Sequence, residues 1–138
     1  MSMAHRWIKN LLSGMDEKVD ARTRAGILEN CGRQCTPQSL VKKATSCAKK
    51  ARDTGEFIVN LQKVWKNVHL EDGKVFVIYP RCYCPLVRDY EGTLPGFCDC
   101  SRGWILELFE SALGRPVKVI LEKSIRQGDD SCRFRVEV

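Results

Sequence analysis

Four of the chain's eight cysteines fall within 19 positions, as Cys82-Tyr83-Cys84 and Cys98-Asp99-Cys100. Zinc takes about four donors in a tetrahedron, with thiolate sulfur ~2.3 Å from the metal. In an extended segment residues i and i+2 point to the same side, so each Cys-x-Cys pair can present two sulfurs together. The pairs are tighter than the C-x₂₋₄-C spacing usual in structural zinc sites. The alternative is four unrelated loop thiols. Clustered thiols without a role invite oxidation, which favours a metal. Zinc is therefore the expected cofactor, with Cys82, Cys84, Cys98 and Cys100 as ligands. An iron–sulfur cluster also takes four thiolates, but the spacing matches no ferredoxin pattern.

A second group is Cys31-Gly32-Arg33-Gln34-Cys35. Its place between two helical stretches puts Cys35 just before an expected helix N-terminus. Positive partial charge there lowers a thiol pKa, and Arg33 adds to it. Cys35 is thus the candidate nucleophile if the protein uses thiol catalysis. Cys31 and Cys35 are also candidate co-ligands, and the alternative is a turn cysteine packed between helices. A joint site with the 82–100 loop would staple the helical part of the chain to the rest. Six thiols exceed one tetrahedral zinc, so some of them must do something else. Cys47 and Cys132 fall on apolar stripes and read as core. The two histidines, His5 and His69, read as surface residues, and either could complete a metal site. Glu107 and Glu110 read as solvent-facing, and Asp129 and Asp130 as turn residues. No phosphate-binding loop, dinucleotide fingerprint or zinc-protease motif is present.

The bulk numbers set the frame. A chain of 138 residues with 43% hydrophobic content fits one domain able to bury a core. The net charge is +6, and residues 1–54 carry all of the surplus, with 11 Lys/Arg against 5 Asp/Glu, while the remainder has 12 of each. A basic patch suggests nucleic acid, acidic lipid or an acidic partner. The absence of a base-reading motif or stacking platform argues against nucleic acid and for a solvated helix surface. No stretch approaches the ~20 apolar residues of a membrane helix, and the N-terminus lacks the features of a signal peptide. The expected setting is the reducing cytoplasm, with the cysteines as thiols or metal ligands rather than disulfides. A homodimer is compatible with the composition.

The elements that must position these thiols are legible from periodicity. Trp7, Ile8, Leu11 and Leu12 share one helical face, with Gly14 expected to end the helix. A second helix is predicted from about Asp16 to Asn30, capped by Gly32. A third has Thr36 as N-cap and Pro37 at its first position, with Leu40, Val41, Ala44, Cys47, Ala48 and Ala51 as its apolar stripe. A short fourth follows Thr54. Asp72-Gly73 between two β-rich runs predicts a hairpin over 64–79. Residues 80–100 read as a long loop, which needs a reason such as function or a metal clip. A helix from Ser101 to Leu113, capped by Gly114, leads to strands over 115–125 and 132–138. The sum is α+β: a helical N-terminal layer (1–63) packed on an antiparallel sheet of about four strands, with one crossing helix, all within one domain.

One stretch resembles known families. Cys100-Ser-Arg-Gly-Trp104 through Leu113-Gly114, followed by Gly128-Asp129-Asp-Ser-Cys132-Arg-Phe134-Arg-Val136, is similar to the 4-vinyl reductase domain. It also resembles the L-2-amino-thiazoline-4-carboxylic acid hydrolase-like family. The first resemblance implies a small α+β ligand-binding or sensor domain with cysteines suspected of binding metal. The second implies hydrolysis of a small cyclic substrate. This chain has Ser124 near the place where the vinyl-reductase pattern commonly has a cysteine. The chain as a whole looks like a cysteine-rich prokaryotic family. The leading expectation is a zinc-stabilised domain that binds a small molecule between the helical layer and the sheet. The alternatives are a thiol- or zinc-dependent hydrolase and a redox sensor that pairs its loop thiols.

Overall fold

The computed structural model describes Met1–Val138. Its helices are α1 (Met3–Lys18), α2 (Ala21–Cys35), α3 (Gln38–Lys50), α4 (Thr54–Gln62) and α5 (Cys98–Leu113). Its strands are β1 (Val68–Glu71), β2 (Lys74–Tyr79), β3 (Lys118–Lys123) and β4 (Cys132–Glu137). The strands form one antiparallel sheet in the order β1-β2-β4-β3, so the expected α+β architecture of helices packed on a four-stranded sheet is present.

Helix starts follow capping chemistry. Ser2 accepts from the His5 N–H, Asp20 from Thr23 and Asp53 from Glu56, each satisfying an N–H that has no partner within the helix. Several ends differ from the periodic reading. α1 runs on through Gly14, where nothing lies within 4 Å of a Cβ position, so the glycine costs only ~1 kcal/mol of helix propensity. α2 runs through Gly32 to Cys35, because that glycine serves packing rather than capping. Thr36 is not the N-cap of α3. Pro37 holds that position, and the Thr36 hydroxyl donates instead to the Trp104 carbonyl at 3.0 Å. α5 begins at Cys98 rather than Ser101 and ends at Gly114 with φ 68.

The hairpin turn places Asp72 at φ 51 and Gly73 at φ 75, the two left-handed residues that a tight β1–β2 connection needs. The register then aligns rows on one face: Val68, Val77, Phe134 and Leu121 in one, Val75, Val136 and Val119 in the next. α5 lies on this face. Ile105, Leu108, Phe109 and Phe134 are fully buried and fill the space between helix and sheet, the place the sequence suggests for a small-molecule ligand. α3 and α4 complete this main core through Ala44, Cys47, Phe57, Ile58 and Leu61. The opposite face carries Arg133, Arg135, Glu71 and Glu122 as an ion-pair net, with the Arg133 guanidinium 4.0 Å above the Phe76 ring.

A second, smaller core is separate. Ile8 and Leu12 of α1 and Leu28 of α2 pack with Val87, Tyr90, Leu94 and Phe97. The 80–97 segment is therefore a folded apolar flap and not an open loop. Met15, Cys82, Cys84 and Cys100 sit at its margin. No helix is long and apolar enough to cross a membrane.

Candidate functional site

The contact between α2 and α5 organises the thiols. These two helices lie along each other more extensively than any other pair of elements. Two glycines make the approach possible. A Cβ on Gly32 would fall on the Cys100 carbonyl oxygen, far inside contact distance, and a Cβ on Gly103 would fall on the Glu29 carbonyl oxygen. Each glycine therefore admits the backbone of the opposite helix. Ion pairs flank the crossing. Arg33 reaches Glu110 at 2.9 Å and Glu107 at 3.4 Å, and Arg102 reaches Glu29 at 2.9 Å. Glu107 and Glu110 are thus partners of α2 and not free solvent-facing acids. Burial opposes the charge of Arg33, but these carboxylates outweigh it and raise its pKa.

The start of α5 at Cys98 decides where two thiols point. Two residues apart in an extended chain share a side, but two residues apart in a helix of 3.6 residues per turn face ~200° apart. Cys98 turns inward and is 4% exposed, whereas Cys100 packs at the margin of the smaller core, near Cys84, Cys35 and Cys31. The four cysteines of the 82–100 stretch accordingly divide between two groups.

The first group is Cys31, Cys35, Cys84 and Cys100. Cys31 and Cys35 are one turn apart and share a face of α2. Cys100 is half-buried beside them, with Cys84, Cys35 and Cys31 all close enough to repel a charge on it. Burial first, and then these neighbours, push the Cys100 thiol up to about 12. Burial likewise raises Cys84, whose thiol neighbours include Cys82 and Cys35. Cys35 is the last residue of α2, at the C-terminal end of that helix, and not the residue next to a helix N-terminus that the sequence suggests. No group of three or more His, Cys, Asp or Glu side chains is gathered tightly enough, as it stands, to hold a metal ion.

The second group is Cys98 and Cys132, with Cys82 nearby. Cys98 Sγ lies 2.7 Å from Ser124 Oγ, and the Ile125 N–H donates to Cys132 Sγ at 3.4 Å. The neighbouring Cys98 thiol holds Cys132 down at about 7, with help from the Ile125 N–H and the charge of Arg126 and against the effect of burial. Neighbouring Cys132, together with burial, pushes Cys98 well above the ordinary thiol range. Cys132 is thus in the core, as its strand position suggests, and is also half of a thiol pair. Cys47 is buried between α3 and α4, in the wall of an open cavity of about 370 Å³ that Lys50 and Lys63 also line.

Arg126 is a residue that periodicity does not reveal. It is 5% exposed and donates to the carbonyls of Val87 at 2.6 Å, Tyr90 at 2.7 Å and Gly92 at 3.1 Å. Its own carbonyl accepts from the Leu94 N–H. Arg126 therefore pins the flap that carries Cys82 and Cys84 to the turn before β4. In the sequence it reads as one more charged residue in a polar turn. Gly103 left a fainter signal, a glycine inside a helical pattern, which commonly marks close packing, whereas Gly32 reads in the sequence as a helix cap. His5 sits edge-on to Tyr90 at 5.4 Å, and His69 lies on edge strand β1.

No curated protein matches the sequence. Residues 2–138 match the model of DUF6144, described as a family of unknown function. The match spans nearly the whole chain, and the protein belongs to the DUF6144 family.

Proposed function

We propose that the protein is a metal-thiolate domain whose ion, zinc in the first instance, is held by Cys31, Cys35, Cys84 and Cys100. The observation that carries this reading is the glycine-mediated crossing of α2 and α5. It seats the backbone of Cys100 directly against Gly32, between the two α2 cysteines. Three separate segments then supply the donors: the last turn of α2, the flap and the first turn of α5. A ligand set drawn from distant segments clips them together, and the binding free energy becomes folding free energy. Four soft donors with no carboxylate among them suit zinc or an iron–sulfur cluster better than a hard cation.

Cys31 and Cys35 are exposed and Cys84 and Cys100 half-buried, so coordination requires the α2 thiols to turn inward. The ion would bring thiolate character to Cys84 and Cys100, whose pKa values burial and neighbouring thiols raise. Its place at the junction of the two cores suits a structural clip within a binding or sensor domain of the 4-vinyl reductase type.

The test is metal content in single Cys→Ser variants purified from zinc-supplemented medium. Substitution at Cys31, Cys35, Cys84 or Cys100 is expected to lower bound metal at least tenfold, while Cys47→Ser and Cys82→Ser keep about one ion per chain. Equal loss from Cys82→Ser, or full metal in Cys31→Ser and Cys100→Ser, contradicts the assignment. Visible absorbance from bound iron would reassign the ion while keeping the ligands.

A further inference from the structure

Cys98 and Cys132 stand apart from the four-thiol set. Cys98 opens α5 and Cys132 opens β4, yet both sulfurs are gathered on the two-residue segment Ser124-Ile125. They are 4% and 7% exposed, inside a core whose other members, Cys47 apart, are aliphatic and aromatic side chains. Packing alone would not require two polarisable, oxidisable groups held on adjacent residues there. The Cys132 sulfur also has the features of a stabilised thiolate: a backbone N–H donor and the nearby Arg126 guanidinium. Cys132 lies at the end of the sheet, close in the chain to the exposed turn Asp129-Asp130.

We infer that Cys98 and Cys132 are a redox pair that closes to a disulfide when a hydroperoxide oxidises the protein. The Cys132 thiolate attacks the outer peroxide oxygen and the O–O bond breaks. The leaving oxygen departs as water or an alcohol after taking a proton, and Cys132 becomes a sulfenic acid. The Cys98 sulfur then attacks the sulfenic sulfur, the S–O bond breaks, and the hydroxide leaves as water with the Cys98 proton. Two thiols lose two electrons in all, and one peroxide gains them. Cys98 is the resolving thiol because its sulfur is held on Ser124, one residue before the Ile125 N–H that holds the Cys132 sulfur, and Ser124 remains its hydrogen-bond partner until attack. The linkage would tie the first turn of α5 to the first residue of β4. This pairing does not depend on whether the other four thiols bind a metal.

The experiment treats the purified full chain with about one equivalent of hydrogen peroxide. Free thiols are then blocked, the protein is digested without reduction, and linked peptides are mapped by mass spectrometry. The expected product is a peptide pair joined through Cys98 and Cys132, formed before any other disulfide and reversed by dithiothreitol. In Cys98→Ser the sulfenic acid on Cys132 should persist and be trapped by a cyclic 1,3-diketone. Cys82→Ser should leave the linkage unchanged. A first linkage that excludes Cys132, a linkage lost in Cys82→Ser, or over-oxidation of Cys132 without linkage in the unmodified chain overturns the pairing.

Discussion

At the scale of the residue, the site rests on two positions that have no side chain. Gly32 and Gly103 face backbone, and backbone cannot step aside as the end of a flexible side chain can. Gly32→Ala is expected to cost about 3 kcal/mol, the upper end of overpacking penalties, measured as a fall in denaturant midpoint. Gly26→Ala is the matched control. Gly26 lies in the same helix with nothing within 4 Å of its Cβ position, so alanine there should stabilise by ~0.5–1 kcal/mol through helix propensity and chain entropy. Opposite signs from two glycines six residues apart would show that the α2–α5 approach, and not glycine itself, matters. Cysteine types and crowding were legible in the sequence, and so was the idea of a joint site between the 31–35 and 82–100 groups. Which thiol joins which group was not. It depends on whether Cys98 and Cys100 lie on a helix or an extended segment, and Ser101 is the better N-cap residue by local chemistry. Tertiary packing of Phe97 and Cys98 starts the helix three residues earlier.

At the scale of the element, the flap over residues 80–97 is the least regular segment and the most dependent on one side chain. Hairpin, strands and helices followed from Asp-Gly, alternation and apolar stripes, because those patterns report local geometry. The flap has no such pattern, since its order comes from three carbonyls that converge on Arg126. Hydrogen bonds to a charged group contribute more than neutral ones, and unpaired buried carbonyls cost ~1–3 kcal/mol each. Arg126→Met should therefore destabilise by about 3 kcal/mol or more. It should also open a protease-sensitive site within 82–97 while the circular dichroism of the helices and sheet is retained. A variant that resists limited proteolysis as well as the unmodified chain would show that the Val87, Tyr90, Leu94 and Phe97 cluster holds the flap without the guanidinium.

At the scale of the whole molecule, two cores meet along α2 and α5. The main core joins α3, α4, α5 and the sheet, and the smaller one joins α1, α2 and the flap. α1 is attached through little more than Ile8 and Leu12, so its amides should exchange with solvent faster than those of α5. The proposed ion sits where the two cores join. Its removal is expected to raise exchange in the flap and the last turn of α2 and to leave β2 and β4 unchanged. The most direct measurement of the central claim is metal content combined with thiol titration before and after a chelator, with the newly reactive cysteines mapped by alkylation. One zinc per chain is expected, with Cys31, Cys35, Cys84 and Cys100 becoming reactive only after the metal is withdrawn. Metal-free protein in which all four react at once, or a protected set made of Cys82, Cys84, Cys98 and Cys100, would contradict it.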